Sequence, residues 1–184
     1  MMFNTLSYIG EKLNHEGVVW GVGASVLLHY HGLVEQPKDI DILVATNDIK
    51  KVDNLFKNIG IKSKPYKTTT YATEFFYEYI IKGFDVDVMA GLRIKCQDGV
   101  FSYGFDASSI TDNIEINGIT IPLTSLEDWY VIYQLIPNRQ SKVMMIENHL
   151  LVHGIQNPTL LERLLRGYLP KEVREKIQWL MTCN

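Results

Sequence analysis

The chain has 184 residues, 46% hydrophobic and 21% charged, enough to bury one globular core and too balanced for a disordered or fibrous protein. A formal net charge of −3 argues against broad, sequence-independent nucleic-acid binding, which needs a strong basic excess. No apolar run reaches membrane-spanning length, and the N-terminus lacks the basic region of a signal peptide. Cys96 and Cys183 lie far apart without metal-ligand spacing, so a reduced, cytoplasmic setting is expected.

Phe3, Leu6, Ile9 and Leu13 recur at helical spacing, predicting a helix over 2–15 that ends near Gly17. Val18 to Val22 reads as a strand that breaks at Gly23-Ala24-Ser25 and gives way to a short helix reaching Tyr30. After a loop from Leu33 to Lys38, a second strand covers Asp39 to Ala45. Thr46 or Asn47 can cap the next helix, whose buried stripe is Ile49, Val52, Leu55, Phe56 and Ile59, with Gly60 as its stop.

Residues 61–105 read mainly as β. Phe75, Tyr77, Tyr79 and Ile81 alternate with Glu74, Glu78 and Lys82. Gly83 then turns the chain into Phe84 to Met89, a hairpin that places Asp85 and Asp87 on one face. Asn117-Gly118 joins Ile114–Ile116 to Ile119–Ile121 in a second hairpin. Past Pro122 the character becomes helical: Thr124 to Glu127 reads as a capping box, Pro137 interrupts, and Gly154, Pro158 and Pro170 punctuate the remaining helices. The fold class is therefore α/β (α+β): an α/β portion over 1–122, then a C-terminal helical segment over 123–184 packed on that core.

The chemistry concentrates between Trp20 and Val44. On the second strand Asp39 and Asp41 point the same way, about 6–7 Å apart, while Ile40, Ile42 and Val44 face the core. Adjacent carboxylates repel, and the usual remedy is a hard divalent cation shared with substrate phosphates. A small-residue turn such as Gly23-Ala24-Ser25 offers backbone N–H groups and a hydroxyl to those phosphates. A phosphate cradle beside a metal platform points to phosphoryl or nucleotidyl transfer.

Gly23-Ala24-Ser25, thirteen residues, then Asp39-Ile40-Asp41-Ile42 resembles the signature of the DNA polymerase beta-like nucleotidyltransferase superfamily. The likeness is to its small bacterial branch, which includes aminoglycoside and minimal nucleotidyltransferases. It implies a nucleotidyltransferase-like mixed β-sheet flanked by helices, Mg²⁺ or Mn²⁺ held by Asp39 and Asp41, and a nucleoside triphosphate such as ATP, its phosphates at Gly23 and Ser25. A third carboxylate on a later strand completes the metal site and helps deprotonate a hydroxyl acceptor. Asp87, between Val86 and Val88, fits that place better than Asp85. Ala24 stands where the family most often has glycine, so a turn needing positive φ would be strained there. Arg139 and Lys142 resemble a basic feature of the relatives' helical halves, although Val143 replaces the aspartate found there.

The acceptor is left open among a small molecule, an RNA and a protein, and a homodimer is compatible with the sequence. The alternative reading is a non-catalytic nucleotide-binding or antitoxin-type domain that keeps the fold. His149 and His153 are four apart on one helix, a spacing a metal can use, but without an evident third ligand they read as ordinary helix histidines. His29 and His31 carry no recognisable partner. The cluster Tyr71, Phe75, Phe76, Tyr77 and Tyr79 reads as a core stripe, with base or acceptor stacking as the alternative.

Overall fold

In the computed structural model, which describes residues 1–64 and 69–183, the first helix, α1, covers Met2–Glu16. Leu6, Ile9 and Leu13 are fully buried along it, and Gly17, at φ 63°, closes it by donating its N–H to the Asn14 carbonyl. The strand β1 (Trp20–Val22) is shorter than the apolar run from Val18 predicts. The reason is local: the Val19 N–H donates to the Asp48 carboxylate at 2.9 Å instead of entering the ladder.

α2 (Ala24–Tyr30) and β2 (Ile40–Val44) follow, then a 3₁₀ turn over Thr46–Asp48 and α3 (Ile49–Ile59). Asp48 rather than Thr46 or Asn47 stands at the helix start, with its carboxylate turned back to Val19. Ile49, Val52 and Phe56 form the buried stripe, and Leu55 and Ile59 are half-buried at its margin.

β3 (Ile61–Lys62), β4 (Phe75–Ile81) and β5 (Phe84–Ala90) come next. Residues 65–68 of the expected β region lie outside the described residues. Lys82 and Gly83, both at positive φ, make the turn between β4 and β5. A separate two-stranded sheet, β6 (Arg93–Cys96) and β7 (Gly99–Ser102), turns at Gln97-Asp98, beside an Asp98-Gly99 turn signal, within the region read only as mainly β. β8 (Ile110–Ile116) and β9 (Ile119–Thr124) pair around Asn117 (φ 54°) and Gly118 (φ 76°), the left-handed pair that a tight hairpin needs.

The main sheet runs in the order β3-β4-β5-β2-β1-β9-β8. The β2–β5 and β1–β9 pairs are parallel and the others antiparallel. It is a mixed sheet of seven strands flanked by helices, in keeping with the fold that the family resemblance implies.

β9 continues through Pro122 to Thr124, so α4 (Leu126–Leu135) begins one residue later than the capping-box reading places it. Ser125 is the cap: its Oγ accepts the Asp128 N–H at 3.0 Å. Glu127, buried, accepts N–H bonds from Gln156 and Asn157 at 2.9 and 2.8 Å, anchoring the start of α6 (Pro158–Leu165). α5 (Gln140–His153) and α7 (Lys171–Thr182) complete the helical portion. One buried cluster runs from Leu6 through Ile42 and Tyr130 to Ile177. Among the described residues no helix is long and apolar enough to cross a membrane.

Asp53 ties α3 to the sheet by accepting from Lys57 at 2.6 Å, from Lys62 and from the Tyr79 hydroxyl. Burial disfavours its charge, but the three donors outweigh that and draw the carboxyl down to about 2. A depressed carboxyl stabilises the fold above its unfolded value of about 3.9 and loses that contribution as pH falls through the folded one. Asp53→Asn is therefore expected to cost most at neutral pH, with the gap to wild type closing between about pH 4 and 2 in urea titrations. A gap independent of pH contradicts this account.

Candidate active site

The site is set by strand register. In the parallel β2–β5 pair, Asp41 lies beside Asp87, while Ile40 and Ile42 pair with Val86 and Val88. Those four apolar side chains are fully buried, so the aspartates between them are turned to the opposite face. Asp39, Asp41 and Asp87 line one cavity of about 250 Å³. Asp85 is exposed, lies outside that cavity and sits across from Ile80 on β4. Asp87 is the later-strand carboxylate that the fold brings to the pair.

Burial raises the Asp41 carboxyl well above the usual range, and the neighbouring charges of Asp39 and Asp87 push the same way. Asp87 is pushed up to about 7, first by burial and then by Glu78, directly across the β4–β5 ladder, and by Asp39 and Asp85. Facing these groups, Arg139 and Lys142 bring positive charge from the N-terminal end of α5. Lys142 Nζ donates to the Tyr133 hydroxyl at 3.2 Å, and burial followed by the Arg139 charge holds its ammonium below the ordinary value.

Among the described residues no three His, Cys, Asp or Glu side chains form a closed metal-ligand set. The donor chemistry nonetheless suits a hard divalent cation. The oxygens are carboxylates, and their mutual repulsion is only partly offset by Lys142.

The turn before α2 is bonded directly to this acidic pair. The Gly23 N–H donates to the Asp41 carbonyl at 3.1 Å. Ser25 Oγ lies 3.0 Å from both the carbonyl and a carboxylate oxygen of Asp39, and accepts the Lys38 N–H at 3.2 Å. Ser25 is buried, and its hydroxyl is committed to Asp39 rather than presented to the cavity, which Ala24 lines instead. The two residues expected to meet phosphate thus hold the aspartates in place.

Gly23 is needed for a second reason: a Cβ there would come within 2.3–2.4 Å of the Trp129 indole. That ring is itself fixed by its Nε1–H bond to Thr124 Oγ1 at 2.9 Å.

Trp129, Ile132 and Tyr133 of α4 also line the cavity. In the sequence Trp129 and Ile132 read only as core positions of an amphipathic helix, and nothing there links them to the aspartates. The aromatic cluster divides by strand alternation. Tyr71 and Phe76, with parallel rings 6.1 Å apart, line the cavity, while Tyr79 is buried against Phe56 of α3 on the other face.

Ala24 adopts φ 46°, the left-handed conformation that disfavours any residue with a Cβ. Ala24→Gly is expected to leave stability unchanged or raise it by up to about 1 kcal/mol, strain relief being partly offset by a more flexible unfolded chain. Ala24→Val should lower it by more than about 1 kcal/mol, since a β-branched residue fits neither the φ nor the buried site. Denaturant midpoints showing Ala24→Val equal to wild type would refute the strain.

No protein-family model matches the chain, and no curated protein does. Solved structures do match. A candidate nucleotidyltransferase from Thermotoga maritima is similar with a TM-score of 0.62 at 26% identity, covering 80% of this chain and 91% of its own. The lincosamide antibiotic adenylyltransferase LnuA, solved with lincomycin bound, gives 0.52 at 17% identity over 78% of this chain and 95% of its own. ANT(2″)-Ia in complex with adenylyl-2″-tobramycin gives 0.55 at 9% identity, covering 96% and 95%. The chain has the nucleotidyltransferase fold, and the likeness to the small bacterial nucleotidyltransferases carried by Gly23-Ala24-Ser25 and Asp39-Ile40-Asp41 extends to its three-dimensional structure.

Proposed function

We propose that this protein is a divalent-cation-dependent nucleotidyltransferase that moves a nucleoside monophosphate from a nucleoside triphosphate to a hydroxyl group. The observation that carries this reading is the β2–β5 register, which sets Asp41 beside Asp87 in the cavity that also holds Asp39, opposite Arg139 and Lys142. An all-acidic pocket would repel a triphosphate, and an all-basic one would not need a cation. A pocket with one wall of each sign suits the two together.

Asp39 and Asp41, with Asp87, are the residues that would hold Mg²⁺ or Mn²⁺. When bound, such a cation offsets charge on the phosphates and on the attacking and departing oxygens. Arg139 and Lys142 bear the remaining triphosphate charge from the helical side, and the backbone N–H groups of Ala24 and Ser25 meet the phosphates at the start of α2, the Gly23 N–H being held by the Asp41 carbonyl. Asp87 accepts the acceptor's proton as its oxygen attacks the α-phosphorus. The bond from that phosphorus to the bridging oxygen breaks, and pyrophosphate leaves. Positioning and electrostatics supply most of the rate.

The helical segment after residue 122 serves in this reading as the basic counterface of the acidic core. The antibiotic-bound neighbours favour a small hydroxylated acceptor, with RNA and protein hydroxyls as the alternatives.

Incubation with Mg²⁺ and a triphosphate labelled at the α-phosphorus should yield labelled acceptor, labelled protein or free monophosphate. Asp39→Ala is expected to weaken nucleotide binding and turnover together. Asp87→Ala should lower turnover by about 10²–10⁴-fold or more, with a smaller effect on binding, as loss of general-base assistance demands. Full activity in Asp87→Ala would remove that residue from the reaction. Tight binding without any transfer in wild type would instead favour a non-catalytic nucleotide-binding domain.

A further inference from the structure

We infer that His31, His149 and His153 form a second cation site, away from the aspartates, for a borderline transition-metal ion such as Zn²⁺, Ni²⁺ or Cu²⁺. His149 and His153 stand one turn apart near the end of α5, with ring centroids 4.4 Å apart. The chain fold brings His31, just past the end of α2, to a centroid distance of 5.4 Å from His149. Two imidazoles on one cation, at nitrogen–metal bonds of 2.0–2.1 Å and angles between square and tetrahedral, have centroids roughly 4.5–5.2 Å apart. The two observed spacings bracket that range; the three rings do not form a closed ligand set as they stand, and must turn toward a common point to make one.

The surroundings favour a cation. His31 and His149 line a cavity of about 330 Å³ together with Asp112 and Glu127. Both carboxylates act on His31, and Glu127 acts on His149. Each of these two imidazoles is nevertheless held below its ordinary pKa, first by burial and then by a neighbouring histidine, which favours the neutral form a metal requires. Imidazole nitrogen selects borderline ions, whereas the aspartate site offers only hard oxygen, so the two sites divide cations by softness.

The position gives the site a consequence. α2 begins at Ala24 in the aspartate-lined cavity and runs to His31; α5 begins beside Arg139 and Lys142 and runs to His149 and His153. A metal bound here clips the far ends of the two helices whose near ends face the aspartates. The distance from Lys142 to His149 along the helix is about 10 Å.

The test is calorimetric titration of Ni²⁺ and Zn²⁺ into the full chain, with Cys96 and Cys183 replaced by serine throughout so that their free thiols do not compete. With excess Mg²⁺ present to occupy the aspartates, one site per chain is expected, unchanged in Asp41→Asn. His149→Ala and His31→Ala should each weaken it about 10–100-fold or more, since even outer-sphere partners of a metal act on that scale. Cu²⁺ electron paramagnetic resonance should show coupling to at least two nitrogens.

His31→Gln and the metal-free melting temperatures of all variants separate lost ligation from lost folding. Wild-type affinity in His149→Ala, or loss of the site in Asp41→Asn, would overturn the proposal. Wild-type affinity in both His31 variants would do so too, since it would leave only a pair on one helix and no clip.

Discussion

The parallel pairing of β2 with β5 is the constraint on which the site depends. Its register is held by Ile40, Ile42, Val86 and Val88, all fully buried. At about 1.5–3 kcal/mol for each buried aliphatic side chain, the four together contribute roughly 6–12 kcal/mol. A contact between like charges at intermediate dielectric opposes this by about 1–4 kcal/mol. Hydrophobic burial therefore decides the pairing, and Asp41 is pressed against Asp87 as a by-product of the core. A one-residue slip would send the aspartates inward and the apolar residues to solvent, so register and site are the same property of the sequence. Burial first raises both carboxyls; the Asp39 and Asp87 charges add to this at Asp41, and those of Glu78, Asp39 and Asp85 at Asp87.

The second level of organisation is the contact between the turn and α4. Gly23 reaches Asp41 through its amide, and its missing side chain makes room for Trp129. Ser25 holds Asp39, and Thr124 holds both the Val22 carbonyl and the Trp129 indole. The strand carrying the acidic pair, the small-residue turn and the first helix of the C-terminal portion are thus joined by short polar bonds around one aromatic ring. This joint also brings Tyr133 beside Lys142, so the basic wall is positioned by the same helix that Gly23 admits.

Much of this was legible in the sequence, for physical reasons that differ by element. The two hairpins were readable because Lys82-Gly83 and Asn117-Gly118 are local turn signals flanked by alternation. Asp39 and Asp41 were readable because two-residue periodicity and a preceding small-residue turn are both local. Asp87 followed from its apolar neighbours, but its position opposite Asp41 is a long-range register that no local pattern encodes.

Trp129 and Tyr133 were illegible as site residues, since their helix reads as ordinary core until the sheet is placed beneath it. Ser25 was assigned to phosphate from its motif, whereas the fold turns its hydroxyl to Asp39. The proximity of His31 to His149 likewise depends on how α2 packs near α5, over more than a hundred residues of sequence. Ala24 is the converse case: its strain is predictable from the family pattern alone, and φ 46° bears it out.

The central claim is that Asp39, Asp41 and Asp87 act as one cation-binding group. Its most direct test is a crystal structure with Mn²⁺ and a non-hydrolysable triphosphate, with the metal located by anomalous scattering. The account predicts a peak within about 2.0–2.6 Å of oxygens from at least two of the three aspartates and from the phosphates. A nucleotide bound elsewhere, or bound here with Mn²⁺ touching none of the three, would contradict it.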